Sequence, residues 1–318
     1  MRAAIYRAPG GPEVLRVETV PDPEPAEDEV LVRVEAISIE GGDLQARRAV
    51  DPGSPPRVVG YAAAGEIVAL GTAVTSFSVG QRVVTFGFEG SHASLRAAPA
   101  ATTWAVPDGV SSTTASAAFI GLGTAALAVS QAAIQPGEAV LVQGATGGVG
   151  VGLVQLAHRA GARVLGTGSD PAALDALRPH GLTDAVVPRP HAIADQVRAV
   201  LDHGAHVLID TVGGDALLAG LGAVEDGGRV VLVGGRSGGS AAIDTLQILA
   251  RRLTLIGCFL GGVMAEPATR ALLDTMLRDV ATGALSAPVD RVYPLSEAAA
   301  AHARAEERGR LGRVIMVP

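Results

Sequence analysis

Apolar residues recur with two different periods along the chain, and the change of period divides it. Within residues 1–100, the runs Ala3–Tyr6, Val14–Val20, Glu29–Ala36, Gly60–Leu70 and Gln81–Thr85 carry alternating apolar positions. Successive side chains of a strand point to opposite faces, so this alternation predicts a half-buried antiparallel sheet. Gly71 and Gly80 are expected at its turns, where glycine takes φ > 0 without a Cβ clash. From Glu138 onward, short continuous apolar runs alternate with helical patterns such as Val149–Ala160 and Pro171–Arg178. The runs are Ala139–Gln143, Arg163–Thr167, Ala185–Val187, His206–Thr211, Arg229–Gly234 and Leu253–Cys258. Apolar strands separated by helices predict a doubly wound α/β fold with a six-stranded parallel sheet. Residues 266–318 predict two helices and a last strand, Arg313–Val317, which returns to the first sheet. The expected domains are 1–121 with 262–318, and 122–261.

Composition narrows the chemistry. All 25 Lys+Arg positions of the 318 residues are arginine. Without lysine there is no Walker-type phosphate loop and no Schiff-base mechanism, pyridoxal phosphate enzymes included. A net charge of −7, with arginines scattered rather than bunched, argues against a nucleic-acid partner. Charged residues make up only 18% of the chain, which suits a protein that buries part of its surface in an oligomer. One cysteine, Cys258, forms no internal disulfide and fits a reducing, cytoplasmic compartment. No uninterrupted apolar stretch of about 20 residues and no apolar leader are evident, so no membrane association is expected. The histidines have no partners at a diagnostic spacing and read as structural.

The strongest local signal is Ala139-Val-Leu-Val-Gln-Gly-Ala-Thr-Gly-Gly-Val-Gly150. An apolar strand feeds a turn with Gly144, Ala145, Thr146, Gly147, Gly148, Val149 and Gly150, and a helix follows. Glycines let the backbone approach a pyrophosphate, and the helix start supplies unpaired N–H groups with a positive dipole end. This predicts a dinucleotide site. At the end of the second strand, an NAD site expects an acidic residue, but Gly168 and Ser169 stand there. Room for a 2′-phosphate favours NADPH, with NADH as the alternative. Asp170, followed by Pro171, is expected to cap the next helix. Arg189 or Arg236 would complete the phosphate site, and Gly234 and Gly235 end the fifth strand at the cofactor edge.

Together these segments resemble the zinc-free quinone oxidoreductase branch of the medium-chain dehydrogenase/reductase superfamily. The resemblance is carried by Met1–Tyr6, Gly10–Leu15, Pro25–Val34, Gly80–Val83, Val106–Gly109, Ala145–Gly150, Asp210–Gly214, Gly227–Val230 and Gly312–Val317. It implies a GroES-like partial β-barrel joined to a Rossmann domain, with the active site in the cleft between them. It also implies a homodimer paired through the last Rossmann strand. Thr124 and Val212 are implied beside the cofactor. The resemblance puts a lysine early in the helix after the second strand, and here Ala173, or Ala172 with an indel, stands there.

On the substrate side, the segment is Ser38-Ile-Glu-Gly-Gly-Asp43. Glu40 falls where relatives carry asparagine, or cysteine in zinc enzymes, and Tyr61 falls on their second ligand. Zinc takes Cys, His and carboxylate ligands, so no metal is expected. Glu40, Tyr61 and Asp43 are the catalytic candidates. A buried Glu40 among apolar walls would act as an acid, and Tyr61 would be a second proton source. The expected activity is NADPH-dependent hydride transfer to a quinone or α,β-unsaturated carbonyl. The alternatives are a redox-neutral tailoring reaction on the same fold, and a non-catalytic, crystallin-like cofactor-binding protein.

Overall fold

The computed structural model describes residues 1–51, 57–187, 192–235 and 240–318. The chain separates into two compact units. One holds Met1–Ile120, Gly261–Glu307 and Gly312–Pro318; the other holds Gly121–Leu260 and Arg308–Leu311. The segment Arg308–Leu311 thus groups with the dinucleotide-type unit, although the sequence reading gives it to the other.

In the first unit, seven strands form a sheet in the order Val289–Pro294, Arg313–Val317, Glu29–Ser38, Ala62–Leu70, Arg82–Phe86 and Thr103–Ala105, with Leu95–Pro99 also paired to Glu29–Ser38. Arg313–Val317 returns to this sheet, pairing antiparallel with Glu29–Ser38 at Ile315↔Ser38 and Met316↔Ile37. Arg2–Tyr6 lies between Arg16–Thr19 and Arg57–Val58 in a separate three-stranded sheet. Gly80 takes φ +86°, as a turn requires, but Gly71 is needed for a different reason. A Cβ there would lie 2.0 Å from the Ala26 carbonyl oxygen, so close approach rather than positive φ selects glycine.

In the second unit, six parallel strands lie in the order Asp184–Val186, Arg163–Thr167, Ala139–Gln143, Ala205–Asp210, Val224–Leu232 and Thr254–Gly257. Numbered from Ala139–Gln143 in chain order, this is 3-2-1-4-5-6, the doubly wound dinucleotide-binding order. Ala139–Gln143 is buried at every position, as a central strand covered on both faces must be. Val140, Val142, Leu153, Val154, Val164 and Ile209 share one core cluster.

The helix Ser112–Ala132 runs from the first unit into the second. At 21 residues, with a mean hydropathy of 1.4 over its most apolar 18-residue stretch, it has the length and apolar character of a membrane span. Its Ser, Thr and Gly positions hide this from a search for an unbroken apolar run. Two-thirds of its most apolar stretch is buried inside the protein, as befits a core helix.

A polar chain runs through the core of the first unit. The Arg47 guanidinium, with no exposed surface, donates to His302 Nδ1 at 3.0 Å and to the Gly10 carbonyl at 3.1 Å, and pairs with Glu306. His302 Nε2 lies 3.0 Å from His92 Nε2, and His92 Nδ1 lies 3.0 Å from Ser91 Oγ. Arginine only donates, so His302 Nδ1 accepts and its Nε2–H donates to His92. That leaves His92 to donate from Nδ1 to Ser91, and one neutral tautomer of each ring satisfies the whole chain. His92, with no exposed surface, therefore belongs to the core.

Burial drives the His92 pKa down to about 3, with the Arg96 charge adding to the effect. Burial likewise lowers His302, followed by His92 and Arg47. A depressed histidine leaves the folded state with fewer bound protons than the unfolded state once the pH falls below about 6.5. Stability is therefore retained above that pH and lost as the pH falls toward 3. His92 contributes a slope of about 1.4 kcal/mol per pH unit in that window, and His302 acts in the same direction. Urea unfolding of wild type and His302→Gln between pH 7 and pH 4 should show the variant less stable at pH 7 but shallower in its acid slope. Parallel slopes would remove the histidine pair as the source of acid lability.

Candidate functional site

The glycine loop turns the first parallel strand into the helix Gly148–Arg159. Gly144 has φ +76°, and its amide donates to Thr167 Oγ1 at 3.1 Å. A Cβ on Gly150 would lie 2.1 Å from the Gly144 carbonyl oxygen and 2.6 Å from Ala145 Cα, so only glycine lets the helix start this close to the strand. Gly147 is the helix N-cap, and no side chain accepts from the first-turn amides. Those amides keep the donor capacity and positive dipole end that an anion needs. Gly144, Gly147, Gly148 and Val149 are partly accessible, which suits direct backbone contact with a ligand. Ala145 is fully buried and its amide donates to Thr167 O at 2.9 Å, so its side chain serves the core and no ligand. Thr146 is largely buried beside Gly168.

The other loops at the carboxyl ends of the strands meet this turn. A Cβ on Gly144 would lie 2.5 Å from Thr211 Oγ1 and 3.1 Å from Val212 Cγ2, so the loops after the first and fourth strands abut. These are the central neighbours in the sheet, where the strand order reverses and α/β proteins form a crevice. Asp210 builds the second loop. Its carboxylate accepts from the Val212 amide at 3.1 Å and the Gly213 amide at 2.8 Å, folding the chain back at Val212. Burial raises the Asp210 pKa against the lowering by those two amides. Gly234 and Gly235 are exposed past the fifth strand, with Gly234 beside the Thr211 backbone. Thr124 is nearly buried on its helix, and its carbonyl receives the Cys258 thiol at 3.9 Å. Burial pushes that thiol up to about 11, so Cys258 is inert.

At the end of the second strand, Gly168 is buried and Ser169 exposed. A Cβ on Gly168 would lie 3.0 Å from Leu174 and 3.2 Å from Thr146. Asp170 caps the helix Pro171–Asp175, accepting from the Ala172 amide at 2.9 Å. Arg189 and Arg236 lie outside the described residues. A cation the sequence reading overlooks stands nearby instead. A Cβ on Gly309 would sit 3.4 Å from Asp170 Cβ, which brings Arg308–Leu311 against this strand end. Arg308 is exposed and makes no ion pair among the described residues. Its distance of well over a hundred residues in sequence from the strand it adjoins hides it from any local motif.

In the first unit, the three catalytic candidates converge on the first turn of the helix Gly41–Ala49. Glu40 is its N-cap, and its amide donates to Asp43 Oδ2 at 2.7 Å. The apolar walls expected around Glu40 are not there. Its carboxylate pairs with Arg313 Nη2 at 2.6 Å and accepts from Ser38 Oγ at 2.7 Å, with only 2% of the residue exposed. Asp43 has no exposed surface, so it touches no substrate. It accepts from the amides of Glu40 and Tyr61 and lies 4.0 Å from His92 Nε2. Burial raises its pKa well above the usual carboxylate range, against the lowering by those amides. Both carboxylates are thus engaged in buried contacts, Glu40 with Arg313 and Ser38 and Asp43 with main-chain amides.

Tyr61 is different. It is partly exposed, and among the described residues nothing hydrogen-bonds its hydroxyl. Burial raises its pKa, with Asp43 adding to the shift, so the phenol stays protonated at neutral pH. Its ring lies over the helix start, where a Cβ on Gly42 would be 2.3 Å from Cε2. Phe86 and Phe88 meet it edge-on, with centroids 5.9 Å and 5.5 Å away. No group of three or more His, Cys, Asp or Glu residues suited to a metal ion occurs among the described residues.

Comparison with known proteins agrees with this architecture. Residues 26–108 match the alcohol dehydrogenase GroES-like domain, and residues 148–278 match the zinc-binding dehydrogenase family. The quinone oxidoreductase of Sus scrofa is 30% identical, over 97% of this chain and 95% of that protein. Mycobacterial Rv1454c, solved in complex with NADPH, superposes with a TM-score of 0.94 at 30% identity, covering all of both chains. Escherichia coli quinone oxidoreductase complexed with NADPH superposes with a TM-score of 0.93 at 25% identity, again over all of both chains. With this similarity extending across both units, the chain belongs to the quinone oxidoreductase family of the medium-chain dehydrogenase/reductase superfamily.

Proposed function

We propose that the protein is a zinc-free, NADPH-dependent reductase of quinones or α,β-unsaturated carbonyls. The observation that carries this reading is the glycine turn, whose missing Cβ atoms and uncapped helix start fit a dinucleotide pyrophosphate. Bound there, NADPH supplies a hydride equivalent from its nicotinamide ring. Gly144 and Val212 form the walls on which the cofactor is oriented, with Asp210 holding the Val212 turn in place. Thr124, Gly234 and Gly235 complete the lining. Where a carboxylate would hold the ribose of NADH stand a buried glycine, Gly168, and the exposed Ser169, which offers a 2′-phosphate a hydroxyl instead of a negative charge. Asp170, the next residue, is engaged in capping its helix. Arg308 supplies the cation.

Zinc has no place in this scheme. The position of one ligand is the Arg313-paired Glu40, and that of the next is a phenol. Tyr61 takes over the polarising role. Its hydroxyl would donate to the acceptor's carbonyl oxygen, and its proton would neutralise the negative charge that reduction builds on that oxygen; solvent would then restore the phenol.

The protein is further proposed to be a soluble cytoplasmic homodimer that binds neither membrane nor nucleic acid. Thr254–Gly257 is the open edge of the parallel sheet, and Leu246 and Leu249, on the helix just before it, are 71% and 74% exposed. An open strand edge flanked by exposed leucines is the surface a second copy would cover.

Three measurements test these assignments. Chelator-treated enzyme should oxidise NADPH with 1,4-naphthoquinone or enones, and Tyr61→Phe should lower kcat by about a hundredfold while leaving NADPH affinity unchanged. No oxidation across a broad acceptor panel would overturn the reductase reading, and full turnover by Tyr61→Phe would remove Tyr61 from the chemistry. Arg308→Ala should weaken NADPH binding about tenfold or more but leave NADH binding nearly unchanged, since one charge-assisted contact to phosphate is lost. Equal effects on both cofactors would refute that role. In sedimentation, wild type should run as a dimer and Leu249→Arg as a folded monomer; a monomeric wild type would exclude the interface.

A further inference from the structure

We infer that Arg96 is a positioning residue that sets a three-ring corner of Tyr61, Phe86 and Phe88, and that this corner receives the flat ring of the acceptor. The second half of this inference rests on the reductase reading above; the first half stands without it.

Arg96 lies in the strand Leu95–Pro99 and is only 3% exposed. A buried guanidinium normally pairs with a carboxylate, yet Arg96 forms no ion pair among the described residues. Its bonds run to main-chain carbonyls. Nη1 donates to Tyr61 O at 2.9 Å and Thr85 O at 3.4 Å, and Nη2 donates to Glu89 O at 3.2 Å. Each of these carbonyls belongs to a ring-bearing residue or to its immediate neighbour: Tyr61 itself, Thr85 before Phe86, and Glu89 after Phe88. One planar, five-donor group thus ties together the three backbone points from which the rings project. The Tyr61 peptide is held from its other side as well, because its amide donates to Asp43. Burying a charge without a paired carboxylate is costly, and an apolar residue would fill this space at lower cost. What the guanidinium adds is the placement of three carbonyls.

The rings stand nearly perpendicular to one another. Tyr61 meets Phe86 at 87° and Phe88 at 89°, and Phe86 meets Phe88 at 76° with centroids 5.1 Å apart. Three glycines make the arrangement possible. A Cβ on Gly42 would strike the Tyr61 ring, and one on Gly261 would lie 3.0 Å and 3.1 Å from Phe86 and Phe88. A Cβ on Gly87 would lie 2.8 Å from Arg96 Nη2 itself. Phe88 is 53% exposed, and the Tyr61 hydroxyl has no described partner. The corner therefore offers aromatic surface and a hydrogen-bond donor together, which suits a planar conjugated carbonyl compound and gives little to a small, non-aromatic one.

The three tyrosines, Tyr6, Tyr61 and Tyr293, allow a direct test in the full chain labelled with 3-fluorotyrosine. Fluorine NMR should show the Tyr61 resonance, assigned with Tyr61→Phe, moving in Arg96→Lys while Tyr6 and Tyr293 stay in place. Adding 2-naphthol, a flat and redox-inert probe, should shift the Tyr61 resonance of wild type without cofactor. In turnover, Arg96→Lys should raise KM for 1,4-naphthoquinone about tenfold with little change in kcat, and KM for but-3-en-2-one less than about twofold. Gly87→Ala, which displaces the guanidinium without removing it, should reproduce both effects and carries the test if Arg96→Lys does not fold. An unmoved Tyr61 resonance, a joint displacement of all three tyrosines, or equal rises in KM for both acceptors would overturn the positioning role. A 2-naphthol response without any NADPH oxidation would support the corner and overturn the reductase reading instead.

Discussion

A polar group taken out of water must find a partner inside the protein, and in the first unit that requirement arranges the surroundings of Tyr61. Glu40 is matched by Arg313 and Ser38, Asp43 accepts from two amides while its Oδ1 has no partner among the described residues, and Arg47 is matched by a histidine, a carbonyl and Glu306. Arg96 is matched by carbonyls alone. None of these groups is exposed enough to meet a substrate, yet each fixes a piece of backbone that carries something which is. Tyr61, beside them, is partly exposed, and no hydrogen bond to its hydroxyl occurs among the described residues.

The second unit solves a different problem with different residues. A pyrophosphate requires main-chain donors at close range, so the site is defined by side chains that are missing. Gly150 gives up its Cβ to let the helix start against the strand, and Gly144 turns the chain with positive φ beside Thr211 and Val212. Asp210 then does for the fourth-strand loop what glycine does for the first, using a buried carboxylate to hold two amides in a tight turn. The two loops meet because their strands are neighbours at the point of reversal, and sheet order is what turns two unremarkable turns into one crevice.

These differences explain what could be read from the sequence. Continuous apolar runs are strong signals, and all six parallel strands lie within a few residues of the runs that announce them, although Val224–Leu232 starts earlier than Arg229 because glycine and charge dilute its first half. The glycine turn was legible because its whole mechanism lies in consecutive residues. The helix Gly41–Ala49 was not, since two glycines at its start and two arginines near its end suppress the apolar pattern, and its evidence is the Glu40–Asp43 capping geometry. The apolar surroundings expected for Glu40 are replaced by an ion pair, because Arg313 reaches it only after the last strand returns to the sheet. Arg308 and Arg96 gave no local signal at all. The meaning of each comes from contacts distant in sequence: the Arg308 segment reaches Asp170 through Gly309, and Arg96 bonds the carbonyls of Tyr61, Thr85 and Glu89.

The absence of lysine, at first only a restriction on chemistry, also bears on how the buried sites are built. A lysine ammonium has an unperturbed pKa of about 10.4, and burial readily drives it toward neutrality. Arginine starts higher. Even at 3% exposure, burial lowers Arg96 only to about 10, so it remains a cation at neutral pH. Its planar fork also reaches several acceptors at once, where an ammonium is a single point. Arg47 uses that fork on a carbonyl, an imidazole and a carboxylate, and Arg96 uses it on three carbonyls. An ammonium at either position would leave some of these acceptors unpaired and would itself tend to lose its charge. Whatever its origin, an all-arginine complement allows this protein to use buried cations as scaffolding.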